Sequence, residues 1–168
     1  MKVEEAKRQF IAAWGSFGSN WGVNRTMAQI HALLLVSSRP LSADEVMQDL
    51  NISRGNANMN LRELINWGLV ERSLISGQRK EYFLAEKDIW KVAKTIARER
   101  KKRELEPMLR FLESLKLSEQ EPLDADGQAF VDAIHGIKKF GHQAEQTIDG
   151  LIRVEENWFV GTLLKMLK

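Results

Sequence analysis

Residues 41–70 read LSADEVMQDLNISRGNANMNLRELINWGLV, and this stretch decides the fold. Ser42 followed three residues later by Glu45 has the spacing of a capping box, so a helix should start there. Val46, Met47 and Leu50 give that helix an apolar side, and Asn51 ends it. Ser53 is then a good N-cap for a second helix. At 100° per residue, Ala57, Leu61, Leu64, Ile65 and Gly68 share one arc of about a third of a turn. Gly68 suits the left-handed stop that closes many helices. The opposite arc holds Gly55, Met59, Arg62, Glu63 and Asn66, with Asn56 and Asn58 on its flanks. Asparagine is a mediocre helix former because its amide competes for backbone hydrogen bonds. Three of them, at 56, 58 and 60, are better explained as amides aimed at something outside the protein than as a solvated face.

Nearer the N-terminus, Phe10, Trp14, Phe17 and Trp21 fall on one face of a helix over roughly 3–18. This stripe reads as core or subunit interface rather than as a ligand box. A second helix is expected over about 25–37, with Met27, Ile30, Leu33, Leu34 and Val36 facing a core and Pro40 closing it. Downstream of Gly68, LVERSLI and KEYFLA read as two short strands joined by SGQR at 76–79, with Leu69, Tyr82 and Phe83 suited to a small sheet. The run 86–106 is helical, with Ile89, Val92, Ala93 and Ile96 on one face, and Pro107 should kink or end it. A short amphipathic helix reaches about 116, and EQEPLDADG reads as a linker. A long helix is expected over 126–153, with Phe130, Ile134, Ile137, Ala144, Ile148, Leu151 and Ile152 at helical steps. NWFVGTLLKMLK reads as a final short helix. The expected division is 1–86, 87–121 and 122–168.

The 168 residues carry 43% hydrophobic and 29% charged side chains, ordinary for a folded protein. No cysteine is present, which excludes disulfides and thiolate metal sites and fits a reducing cytoplasm. No apolar run is long enough to span a bilayer, and no secretory leader is evident at the N-terminus. The net charge of +2 is unevenly spread: residues 1–103 carry 18 Lys and Arg against 11 acids, and residues 104–168 carry 7 against 12. A basic first part and an acidic second part suit a polyanion on one surface and another task elsewhere.

Helix, helix, short helix, capped helix and then a hairpin with a basic tip is the plan of a winged helix-turn-helix. The fold expected is mainly α, with a small β-hairpin wing and a helical C-terminal dimerisation region. In such a plan the second helix of the pair lies in the DNA major groove, its N-terminal side chains at base edges. The runs FGSNWGVNRTMAQIHALLL, PLSADEVMQDLNISRGNANMNLRELINWGLV and GQRKEYFLAEKDIWKVAKTIARERKKRE resemble the GbsR-like branch of MarR-type transcriptional regulators over about residues 14–107. The resemblance implies a homodimeric winged-helix repressor or regulator on promoter DNA, with helices at the chain ends forming the dimer. It places helix contacts to DNA on Ser53, Arg54, Gly55, Asn56, Asn58, Met59 and Arg62, and wing contacts on Arg79 and Lys80. Many broader MarR-type members have arginine where this chain has Met59, so readout there would be apolar. The branch also implies a choline-like osmolyte as effector. Trp14, Trp21 and Trp90 are candidates for its pocket, since aromatic faces attract quaternary ammonium groups.

The basic run 98–103 can be a solvated helix face, can touch flanking phosphates, or can pair with acids such as Glu104 and Glu106. His135 and His142 share a face with Asp132 or Glu145 but fall short of a metal's usual three or four ligands. His31, in an apolar helix, reads as a hydrogen-bonded buried or interface residue. No nucleophile–base–acid set and no phosphate-cradling glycine loop is present, so neither enzyme activity nor a cofactor or metal is expected. The alternative to a DNA-binding regulator is a winged-helix module that binds protein.

Overall fold

The computed structural model of the chain describes residues 1–20, 22–74, 77, 79–115 and 124–154. It divides into two compact units, Met1–Val92 and Ala93–Lys168.

The first unit is built around α2 (Arg25–Val36), which follows α1 (Val3–Asn20). Met27, Ala28, Ile30, His31, Ala32 and Leu34 of α2 are buried, more than one stripe's worth, because neighbours surround this helix. Asn24 caps its start by accepting from the Met27 N–H. Its other end is held by Lys87, whose Nζ donates to the carbonyls of Leu34, Leu35 and Ser37, each at 2.7 Å. A cation there satisfies orphan carbonyls and meets the negative end of the helix dipole.

The aromatic face of α1 is not its core face within this unit. Phe17 is exposed, and Phe10 and Trp14 are half-buried with rings 5.4 Å apart. The buried residues of α1 are Gly15 and Gly18. A Cβ on Gly18 would lie 2.6 Å from the Ala28 Cβ, and one on Gly15 2.5 Å from Gln29 Cγ. Glycine lets the two helices approach this closely, and a methyl at either position would force a neighbour to move.

Then come β1 (Leu41–Ser42), α3 (Ala43–Leu50), α4 (Arg54–Trp67), β2 (Val70–Leu74) and β3 (Glu81–Ala85). The three strands form an antiparallel sheet in the order β1-β3-β2, with Leu41 opposite Phe83 and Arg72 opposite Phe83 on the other side. The capping box at Ser42 and Glu45 forms fully. Asn51 closes α3 and Gly68 closes α4, both left-handed at φ 50° and 75°. Ile30, Leu34, Val46, Leu61 and Leu64 are fully buried and knit α2, α3 and α4 together. This is a winged helix-turn-helix, with α3 and α4 as the helix pair and β2–β3 as the wing.

His31 is buried as expected, but its Nε2 has no hydrogen-bond partner among the described residues. Burial, helped by the Lys87 charge, lowers its pKa to about 4, so the ring is neutral at physiological pH.

The second unit carries most of α5 (Ile89–Arg100), a π-helical turn (Lys101–Leu105), α6 (Glu106–Ser114) and α7 (Ala125–Arg153). Pro107 does not end the helix. It sits in the first turn of α6, directly after the wide turn in which the Glu106 N–H donates to the Lys101 carbonyl. The ring that would strike a carbonyl four residues back meets looser backbone there. The basic run is largely taken up by ion pairs: Arg100 with Glu104, Arg103 with Glu99, and Lys101 with Asp149 at 2.7 Å. Leu109 and Leu112 are buried, and Gly141 leaves room for Leu109. In the apolar stripe of α7, Phe130, Ile137 and Leu151 are exposed while Ile134, Ala144, Ile148 and Ile152 are half-buried, and Phe140, at the edge of that stripe, is exposed too. His142 lies between Glu113 and Glu145, but the described residues hold no group of three or more His, Asp or Glu side chains placed to hold a metal ion. No helix among them is long and apolar enough to cross a membrane. The helix expected after 157 lies outside the described residues.

Candidate nucleic-acid interface

The candidate interface begins at the first turn of α4. Ser53 has extended backbone and its Oγ accepts from the Asn56 N–H at 3.3 Å, which fixes where the helix starts. Arg54 and Gly55 follow, both exposed. A Cβ on Gly55 would meet nothing within 4 Å, so packing inside the protein does not require glycine there. Its small size instead leaves the start of the helix open to a close external surface. Asn58, Met59 and Arg62 are exposed further along, and Met59 is 60% accessible, high for a large apolar side chain. Arg62 forms no ion pair among the described residues.

Asn60 is the exception among the asparagines. It is buried, on the same arc as Ala57, Leu61 and Leu64, and cannot face outward. Its Nδ2 donates to the Asn56 carbonyl at 2.8 Å and to Asn56 Oδ1 at 2.7 Å. The expectation that all three amides point out of the protein therefore fails at this position. A buried amide needs partners, and Asn60 finds them one turn back. Asn56, half-buried, is thereby oriented with its oxygen toward Asn60 and its Nδ2 free to donate. The signal was in the spacing, since 60 is three after 57 and four before 64.

The wing supplies Arg79 and Lys80, both exposed. Gly77 at the hairpin tip has φ 80°, a conformation that favours glycine. Ser76 and Gln78 lie outside the described residues. Arg79 makes no ion pair among the described residues. Lys80 donates to Asp44 Oδ2 at 2.9 Å, and Arg54 reaches Asp44 Oδ1 at 3.4 Å. Asp44, on α3, thus joins the start of α4 to the wing. The Lys80 hydrogen bond and charge hold the Asp44 carboxyl below its usual range, with Arg54 adding less, and Asp44 raises Lys80 in return. Asp44 was missed from sequence because it is 10 and 36 residues from its partners. Nearby, Arg39 donates to Glu45 at 2.7 Å, and that bond, with the Ser42 N–H, lowers the Glu45 carboxyl to about 2.

Of the tryptophans considered for an effector, Trp14 and Trp90 are half-buried, and Trp21 lies outside the described residues. Two surface cavities of roughly 440 and 430 Å³ open in the same unit. The first is lined by Arg39, Ser42, Lys80 and Tyr82 among others, the second by Arg8, Ile11, Leu33 and Val36 among others. Neither includes Trp14 or Trp90.

A crystal structure of a transcriptional regulator is similar to this chain, with 18% identity and a TM-score of 0.62, covering 88% of this chain and 95% of that one. It shares the fold. The adhesin competence repressor AdcR from Streptococcus pyogenes aligns over 88% of this chain and 99% of its own at 16% identity, with a TM-score of 0.37. No curated protein matches the chain. Residues 21–81, from the turn before α2 through both helices of the helix-turn-helix and into the wing, match the model of the MarR family.

Proposed function

We propose that the chain is a sequence-specific DNA-binding transcriptional regulator rather than an enzyme. In this reading it acts in the cytoplasm as a homodimer on promoter DNA. The observation that carries it is the face of α4: a capped helix start with Arg54, Gly55 and Asn58 exposed and Asn56 half-buried between them, and Arg79 and Lys80 exposed on the wing. Phosphates favour helix N-termini and cations, and amides and guanidinium groups read base edges. The MarR family match over the same segment supports the reading. Repression, and modulation by a choline-like osmolyte, rest on the resemblance to the GbsR-like branch. The exposed apolar stripe of α7 supports a homodimer, because such a stripe usually marks an interface.

The test is a gel-shift and footprinting assay with DNA from upstream of the protein's own gene. Arg54→Ala and Arg79→Ala should weaken binding and each reduce its salt dependence by about one ion. Asn56→Ala and Asn58→Ala should relax sequence preference by about 1–3 kcal/mol per lost base contact. If none of the four changes affinity, the groove assignment is wrong.

A further inference from the structure

Arg54 and Lys80 come from different elements, the first residue of α4 and the residue before β3, yet both reach one carboxylate. That carboxylate, Asp44, is half-exposed, and the two cations are more exposed still. It presents one oxygen to each partner: Oδ1 to Arg54 and Oδ2 to Lys80. Two cations around two oxygens of one anion is also how such side chains grip a backbone phosphate. Exposed ion pairs of this kind are weak and readily exchanged. Arg79 in the wing and Arg62 on α4 form no ion pair among the described residues, whereas Arg72, on β2, pairs with Glu81 at 3.5 Å.

We propose that Asp44 is an internal stand-in for a DNA phosphate, occupying Arg54 and Lys80 in the free protein until a duplex displaces it. This rests on the DNA-binding reading above. The exchange gives the interface two classes of cation. Arg62 and Arg79 attract any polyanion. Arg54 and Lys80 engage only where the duplex lies close enough to compete with Asp44. Weak, distant encounters with random DNA then gain little from these two residues, while a well-seated site gains both. Asp44 is thus a determinant of discrimination that touches no base.

The test uses the full chain and two probes of equal length, a random-sequence duplex and the upstream DNA, titrated across a range of salt. Asp44→Asn keeps the size of the side chain and lies on an exposed surface, so the fold should persist. Its affinity for the random duplex should rise roughly three- to tenfold, with a salt dependence steeper by about one ion. Affinity for upstream DNA should rise less, so the ratio between the two falls. Asp49→Asn, another exposed acid on α3, controls for the simple loss of negative charge. In an Arg54→Ala/Lys80→Ala background, Asp44→Asn should have no more effect than Asp49→Asn. If Asp44→Asn leaves random-duplex affinity and slope unchanged, weakens them, or matches Asp49→Asn, the inference is overturned. Wild-type protein binding neither probe would instead overturn the DNA-binding reading itself.

Discussion

Asn60 Nδ2 lies 2.7 Å from Asn56 Oδ1, so a buried amide sets the orientation of an outward one. Asn56 is therefore presented as a donor, and its natural partners in a groove are acceptors. Asn60→Ala should remove that constraint. The loss of two hydrogen bonds and a small cavity should destabilise the fold by about 1–3 kcal/mol, read from urea unfolding. Base preference at the position read by Asn56 should relax while overall affinity for random DNA is unchanged. If every base position keeps its preference, the link between the two amides has no role in readout.

Glycines in three helical positions should respond oppositely to alanine. At Gly18 the new methyl would lie 2.6 Å from the Ala28 Cβ, a position that cannot swing aside. Gly18→Ala should cost about 1–3 kcal/mol. Gly15→Ala meets Gln29 Cγ, part of a flexible chain, and should cost less. Gly55→Ala has open space and should stabilise the helix by about 0.5 kcal/mol, since alanine is the better helix former. It should nonetheless weaken DNA binding, because the methyl stands where a backbone or base must approach. Thermal unfolding and gel-shift assays on the three variants separate these outcomes.

His31 should make stability depend on acidity. Its folded pKa is near 4, below the unfolded value of 6.5. Between those values the unfolded chain binds the extra proton and the folded chain does not. Stability is thus fully present above about pH 6.5 and is lost as the pH falls toward 4, on the order of 3 kcal/mol. His31→Leu should flatten the unfolding free energy across that window. Lys87→Met should raise the folded pKa by removing a nearby charge, and destabilise α2 by uncovering three carbonyls. An unchanged pH profile in His31→Leu would show that other groups govern acid unfolding.

Much of the winged domain was legible because its signals are local. Ser42 with Glu45, Ser53 and Gly68 each fix a helix end through atoms a few residues apart, and each forms as read. β1 was not legible: two residues long, it coincides with the cap at Ser42 and exists only by pairing with Phe83 and Tyr82. The burial of α1 through Gly15 and Gly18 was hidden behind a conspicuous aromatic stripe, since close backbone approach leaves no hydrophobic signature. At the candidate interface, the open face of α4 followed from helical spacing. The internal fates of Asn60 and Asp44 did not, because they depend on which polar partner the fold brings near. Past Leu105, Pro107 reads as a kink or an end, and it does not end the helix because the preceding π-helical turn accommodates it.

The open stripe of α7 gives the last prediction. Phe140 is 71% exposed, and Phe130, Ile137 and Leu151 along the same helix are each at least 44% exposed. A helix with four large apolar side chains facing water is unfavourable alone, because each could be removed from water at a gain of about 1.5–3 kcal/mol. A second copy would meet the same stripe in an isologous contact. Phe140→Asp should leave the fold intact, since the residue packs little within its own chain. It should weaken self-association by about 2–4 kcal/mol, as an interface anchor does, shifting sedimentation toward the monomer at micromolar concentration. DNA affinity should fall in parallel, because one recognition helix then holds one half-site instead of two. A Phe140→Asp protein that sediments as the wild type does would place the dimer contact elsewhere, with the aromatic face of α1 the next surface to alter.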